Sequence, residues 1–233
     1  MSTENRDVDL EQAADVVGGV VEGIFATLRE GATDAVRLWS RVADRDGRVR
    51  TADLAELRGG IEARLASHRH FDGSGVVVEP RALRDAARYQ EWWRPTEEGR
   101  YEFLDVNVGF GEDPYDYTTM SWFVGASQGL DSIRGPYVDL SGSDRYVLTF
   151  GVPVVHGGRF IGVSGADITV ANFESLVMGD LSALDSEIVV VNSADCVVIS
   201  GSPEYFPGER MRAAACNDTR IGGAGVNWRV HSV

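Results

Sequence analysis

The stretch "GGRFIGVSGADI", residues 157–168, decides the fold. A glycine pair opens it, alternating residues follow, and an aspartate stands where another apolar residue would continue the strand. Alternation puts Ile161, Val163, Gly165 and Asp167 on one face and Phe160, Gly162, Ser164 and Ala166 on the other. The preceding run, 146–155, has the same β-rich texture, so "HGG" at 156–158 reads as the tight turn of an antiparallel hairpin. Asp167 then either caps the next helix or faces a pocket.

Capping does not require it. The helix expected over 170–177 starts more naturally after Thr169, whose hydroxyl can cap it. Gly165 leaves space above the sheet beside Asp167, and a carboxylate is costly to bury unless something pairs with it. Arg94 and Arg134 are the chain's own candidate partners, and a bound cation is the other. The ligand is the favoured reading.

Outward from the hairpin, short β-rich segments separated by Gly and Pro predict strands at 75–79, 89–93, 101–106, 186–192, 196–200 and 227–231. A helix over 117–128 is inserted among them. Toward the N-terminus the period changes. Leu10, Ala13, Val17, Val20, Ile24, Phe25 and Leu28 follow helical spacing over 8–31, with a break expected near Gly31. A second helix is predicted over 32–42, and a third capped by Thr51. The expected fold class is α+β: leading helices over residues 1–70, covering one twisted antiparallel sheet built from 71–233.

Composition narrows the function. The net charge is −14 and all 22 basic residues are arginine, so no broad phosphate-neutralising face exists and nucleic acid is excluded as a partner. Neither a membrane-spanning apolar run nor a signal-peptide pattern is present, and two cysteines make no disulfide framework, which together suggest a cytoplasmic protein with free thiols. His68 and His70 lack further ligands, and the Asp-rich stretch at 42–53 places Val42 and Arg48 at coordinating positions, so no metal or cofactor is expected. "GVSGA" at 162–166 with His231 mimics a serine hydrolase. Ser164, however, lies inside a hairpin strand rather than on a strand-to-helix turn, and no enzyme activity is expected.

Aromatic side chains around carboxylates say more. Trp92, Trp93, Tyr115, Tyr117, Trp122, Phe123, Tyr137 and Tyr146 fall in sequence around Asp139 and Asp167, a composition suited to a cation or a polar planar ligand. Of the adjacent tryptophans either Trp92 or Trp93 can face the pocket, and Trp93 is the one placed in the candidate site.

"YDYTTMSWFVGASQG", "SIRGPYVD" and the hairpin ending in Gly-Ala-Asp167-Ile, in that order, resemble a Cache domain, a PAS-like sensor module. The similarity runs over about residues 70–233. Tyr115, Trp122 and Asp167 fall on the pattern of the family's amino-acid-binding members, with Phe123 where they carry a tyrosine, and Asp139, Tyr137, Trp93 and Arg134 complete the candidate ligand-binding set. Amino-acid-binding members carry an arginine two residues before the tryptophan, and here that position is Met120. The resemblance therefore implies an amine or another small polar metabolite as ligand, a downstream signalling partner, and pairing into a homodimer through the first helix. The residues after Asp167 are too few for a complete second module. The alternative is an interaction module that holds a protein partner and binds no metabolite.

Overall fold

In the computed structural model the described residues are 3–46, 48–105, 116–140, 143–211, 218–221 and 226–233. One helix, α1 (Thr3–Asp46), runs 44 residues, on the order of 65 Å at 1.5 Å per residue. The expected break at Gly31 does not occur. A Cβ on Gly31 would lie 2.6 Å from Ser164 Oγ and 3.2 Å from Arg64 Nη2. The glycine serves close approach of helix to sheet, and the helix continues through it.

α2 (Thr51–Leu54), a 3-10 turn and α3 (Arg58–Ser67) follow. Thr51 stands inside α2 rather than before it, and its hydroxyl donates to Asp85 at 2.9 Å.

Among the described residues, two antiparallel sheets replace the single expected one. The larger has the order β3-β2-β1-β6-β5-β4, and the smaller β8-β7-β10-β9. Here β1 is Gly73–Val78, β2 Gln90–Pro95, β3 Tyr101–Phe103, β4 Ser132–Val138, β5 Tyr146–His156 and β6 Arg159–Thr169. The smaller sheet comprises β7 Ile188–Val191, β8 Val197–Ser200, β9 Asp218–Arg220 and β10 Arg229–Ser232. Among the described residues beyond Asp167, four strands and α5 (Val170–Leu181) close a second layer on the same helix. Thr169 caps α5 as expected, accepting from Asn172 N at 3.1 Å.

The back of the large sheet is the core. Phe150, Ile168, Leu148, Ala166 and Val76 pack with Phe25, Leu28 and Leu38 of α1, and Phe25 meets Phe150 edge-on at 5.7 Å. Residues Leu10 to Leu28 at helical spacing are buried against the chain's own sheets, so the apolar face of α1 is largely covered within the chain itself. Ser164 lies on this covered face and His231 on β10 of the other sheet, which separates the two supposed catalytic residues. The front of the large sheet carries α4 (Ser121–Ser127) and a second apolar cluster of Val77, Trp92, Tyr117, Trp122, Phe123 and Val163. The site lies on this front face.

Candidate functional site

Register brings the front-face residues together. In β6, Asp167 pairs with Thr149 of β5 and Gly73 of β1, and Thr149 pairs in turn with Arg134 of β4. Directly opposed residues share a face, so Gly73, Asp167, Thr149 and Arg134 form one row across four strands. The next row, Gly75, Gly165 and Gly151, has no side chains. Its cleared space is taken by indoles: a Cβ on Gly165 would lie 3.4 Å from Trp92 Cη2, and one on Gly151 3.8 Å from Trp122 Cε3.

Asp167 Oδ1 accepts from Thr149 Oγ1 at 2.6 Å, and Tyr137 Oη lies 2.8 Å from the same Oγ1. A threonine hydroxyl has one proton; with it committed to Asp167, Tyr137 donates to Thr149. Asp167 keeps a partly accessible edge while protein crowds its other sides. That desolvation is the main influence on it and pushes its pKa up to about 7; the Thr149 bond opposes the rise, and the charges of Asp139 and Asp72 add to it. No arginine bonds Asp167 among the described residues: Arg94 pairs with Glu102 at 2.5 Å, and Arg134 goes elsewhere. The carboxylate is held by a hydroxyl and left without a countercharge.

Arg134 stacks its guanidinium over the Tyr137 ring, 4.3 Å from the centroid, and Nη1 touches Met120 Sδ. Trp122 is buried over the front face, and its indole Nε1 finds no acceptor among the described residues.

Three expected site residues stand apart. Trp93 belongs to the back face, where it packs in the main core, donates from Nε1 to Glu91 at 2.7 Å and lies under Arg58 at 4.2 Å. Strand alternation decides this: Trp92 pairs with Gly75 on the front, so Trp93 must turn to the back. Asp139 is buried in the β4–β5 turn, accepting from Ser143 N at 2.9 Å, and reaches Asp167 through its charge rather than by contact. Phe123 packs edge-on to Phe160 at 5.5 Å and lines a different recess with Glu79, Arg81 and Arg88. Tyr115 lies outside the described residues, as do Cys216 and the side chains of 43–47 in the Asp-rich stretch. No metal-binding group of three or more donors exists among the described residues.

Thr149 and Asp72 were not expected. Asp72 donates its backbone N–H to Asp167 O at 2.8 Å, and its Oδ1 accepts from Arg145 at 2.9 Å. Its Oδ2 is buried without a hydrogen bond among the described residues, and burial raises its pKa against the pull of Arg145.

The family described as methyl-accepting chemotaxis protein-like, first PDC sensor domain, matches residues 58–175, just over half the chain, and the chain belongs to it. The similarity read from the sequence as Cache is thus to this PDC sensor family. No curated protein sequence matches. Solved structures similar to the chain include the extracellular domain of a histidine kinase, at 15% identity and TM-score 0.66 over 98% of this chain and 92% of that one. The ligand-binding domain of the Pseudomonas fluorescens chemoreceptor CtaA, solved with L-valine, follows at 17% and 0.61 over 97% and 94%. That of the Pseudomonas aeruginosa amino acid chemoreceptor PctC, solved with GABA, stands at 19% and 0.53 over 94% of each chain. At these identities the likeness establishes the fold. No helix among the described residues is long and apolar enough to cross a membrane.

Proposed function

We propose that this chain is a small-molecule sensor domain whose ligand places an ammonium group on Asp167. One observation carries the reading: the carboxylate sits at a strand end above a row of glycines, bonded to Thr149 and lacking a cationic partner among the described residues. A crowded carboxylate without countercharge is stabilised by a cation that arrives with the ligand. Trp122 Nε1, a buried donor without acceptor among the described residues, supports a ligand that also brings an acceptor. The ligands in the CtaA and PctC structures, L-valine and GABA, both carry an ammonium group.

Asp167, Thr149, Tyr137, Trp92 and Trp122 are the proposed first contacts, with residues 71–233 as the ligand-binding unit and 1–70 as its helical cover. Relay to a signalling partner, a non-catalytic role and self-association through α1 belong to the same proposal. The outward side of α1 offers Val8, Gly19, Gly23 and Ala26 between charged residues. Cytoplasmic placement rests on the free thiol of Cys196, whereas the similar kinase domain is extracellular; a compartment-specific fusion reporter distinguishes them.

The test is a thermal-shift screen of amines, amino acids, carboxylates and purines. An amine-bearing hit at 100 times its dissociation constant stabilises the chain by about 2.7 kcal/mol. A screen in which carboxylates or purines stabilise and no amine does would refute the reading.

A further inference from the structure

The turn that leaves β1 carries an arginine where glycine is favoured. Ala82 N donates to Glu79 O at 3.0 Å across Pro80 and Arg81, and Arg81 has a φ of 65°. Proline followed by a left-handed residue makes a type II turn, and the left-handed position favours glycine because a Cβ is strained there. The backbone contacts of Arg81 need no arginine: its N–H donates to Ala87 O at 2.9 Å, and its carbonyl accepts from Arg48 at 3.3 Å. Strain kept at an exposed position places the reason for this residue in its side chain.

That side chain lines a recess of about 770 Å³ with Glu79, Arg88, Thr118 and Phe123. The volume lies in the range of small-molecule sites. The recess is separate from Asp167. Glu79 follows Gly73, Gly75 and Val77 on the front face, and β1 carries it about 20 Å from the Asp167 row. Val77 and Val163, paired on that face, stand between.

The walls of the recess are fixed by hydrogen bonds. Tyr117 Oη donates to Val78 O at 2.7 Å and accepts from Tyr89 N at 3.3 Å, which ties both ends of the β1–β2 connection to the 3-10 turn Tyr117–Thr119. Asp116 Oδ1 accepts from Thr118 N at 3.0 Å and Thr118 Oγ1 at 2.6 Å, and its Oδ2 pairs with Arg88 at 3.1 Å. Arg88 is thereby oriented with donors to spare, and Arg81 pairs with no carboxylate among the described residues. Glu79, the remaining acid, lies in the charge of Arg159, and burial raises its pKa. In a chain of net charge −14 this corner is a local exception. Phe123, buried and edge-on to Phe160 at 5.5 Å, adds apolar surface beside the guanidiniums.

We infer that this recess is a second ligand site, for a small organic carboxylate whose anionic end meets Arg81 and Arg88 and whose apolar body lies on Phe123. A planar guanidinium takes a carboxylate with two parallel N–H bonds, which discriminates against a neutral molecule of the same shape. The inference is independent of the amine reading for Asp167.

The experiment is calorimetric titration of benzoate and hexanoate, with benzyl alcohol as a neutral counterpart and inorganic phosphate as a bare anion, on the wild-type chain, Arg81→Gly and Asp167→Asn. The expected result is that at least one carboxylate binds tenfold or more tightly than both counterparts. Arg81→Gly should weaken it at least tenfold while the free variant melts no lower than the wild type, because glycine suits the turn. Asp167→Asn should leave the carboxylate's affinity unchanged. If neither carboxylate binds, if the affinity survives Arg81→Gly, or if Asp167→Asn abolishes it, the inference is overturned, whatever the amine screen finds. Phosphate binding as tightly as the carboxylates overturns the assignment to an organic acid. Should Arg81→Gly not fold, Arg81→Asn, which also tolerates the left-handed conformation, is expected to show the same loss, and full affinity in it overturns the inference.

Discussion

Thr149 Oγ1 lies 2.6 Å from Asp167 Oδ1, and this hydroxyl is the one hydrogen-bond donor that the described side chains give to the carboxylate. Removing it with Thr149→Val leaves Asp167 with desolvation and two like charges and no opposing bond, so its pKa should climb further above 7. The effect on an amine ligand is expected to be a loss of about tenfold at pH 7, read by titration, since less of the carboxylate is ionised.

The same carboxylate makes stability depend on pH in the direction opposite to most aspartates. Its folded pKa, about 7, lies above the ordinary 3.8, so between those values the folded state holds a proton that the unfolded state has released. Stability of the ligand-free chain therefore falls as pH rises from about 4 to 7, by about 1–3 kcal/mol with partial exposure discounted. Asp167→Asn should flatten that slope in denaturant titrations at pH 5 and pH 8. Amine affinity should run the other way, weakening roughly fivefold from pH 7 to pH 6 as the carboxylate protonates.

Trp92 and Trp93 are adjacent in sequence and serve different faces. Trp93→Phe loses the 2.7 Å bond to Glu91 and the stacking of Arg58, a destabilisation of about 1–2 kcal/mol by thermal unfolding, with ligand affinity unchanged. Trp92→Phe should instead weaken ligand binding severalfold, because Trp92 covers Gly73 and Gly165 beside Asp167.

Gly31 meets Ser164 where α1 crosses the sheet. Gly31→Ala should destabilise by about 1–2 kcal/mol despite alanine's better helix propensity, since the new Cβ would be 2.6 Å from Ser164 Oγ. Adding Ser164→Ala should recover part of the loss, a coupling that a double-mutant cycle measures. Ser164→Ala alone should change stability and no ligand affinity, and labelling of Ser164 by a fluorophosphonate would contradict its burial under α1.

Much of this was legible because it depends on local pattern. The 146–169 hairpin, the Thr169 cap and the place of Asp167 at a strand end follow from alternation and cap chemistry. The partner of Asp167 did not. Counting back from the His156–Arg159 turn places Leu148 opposite Asp167, and the register shift between Val154 and Val155 moves Thr149 there instead. β4 was hidden because Gly135-Pro136 interrupts it, and its pairing shifts between Arg134 and Tyr137. α1 was split on paper because a glycine for close approach and a glycine for termination look alike in a sequence. The second sheet gave strand signals, but only tertiary packing on α1 decides that those strands leave the first sheet.

The most direct measurement is binding of the amine found by the screen to Asp167→Asn, beside the melting temperature of the free variant. The account predicts at least a tenfold loss of affinity, or 1.4 kcal/mol, with the free protein unchanged or more stable. Affinity that holds while the melting temperature drops would make Asp167 an internal structural partner and contradict the account.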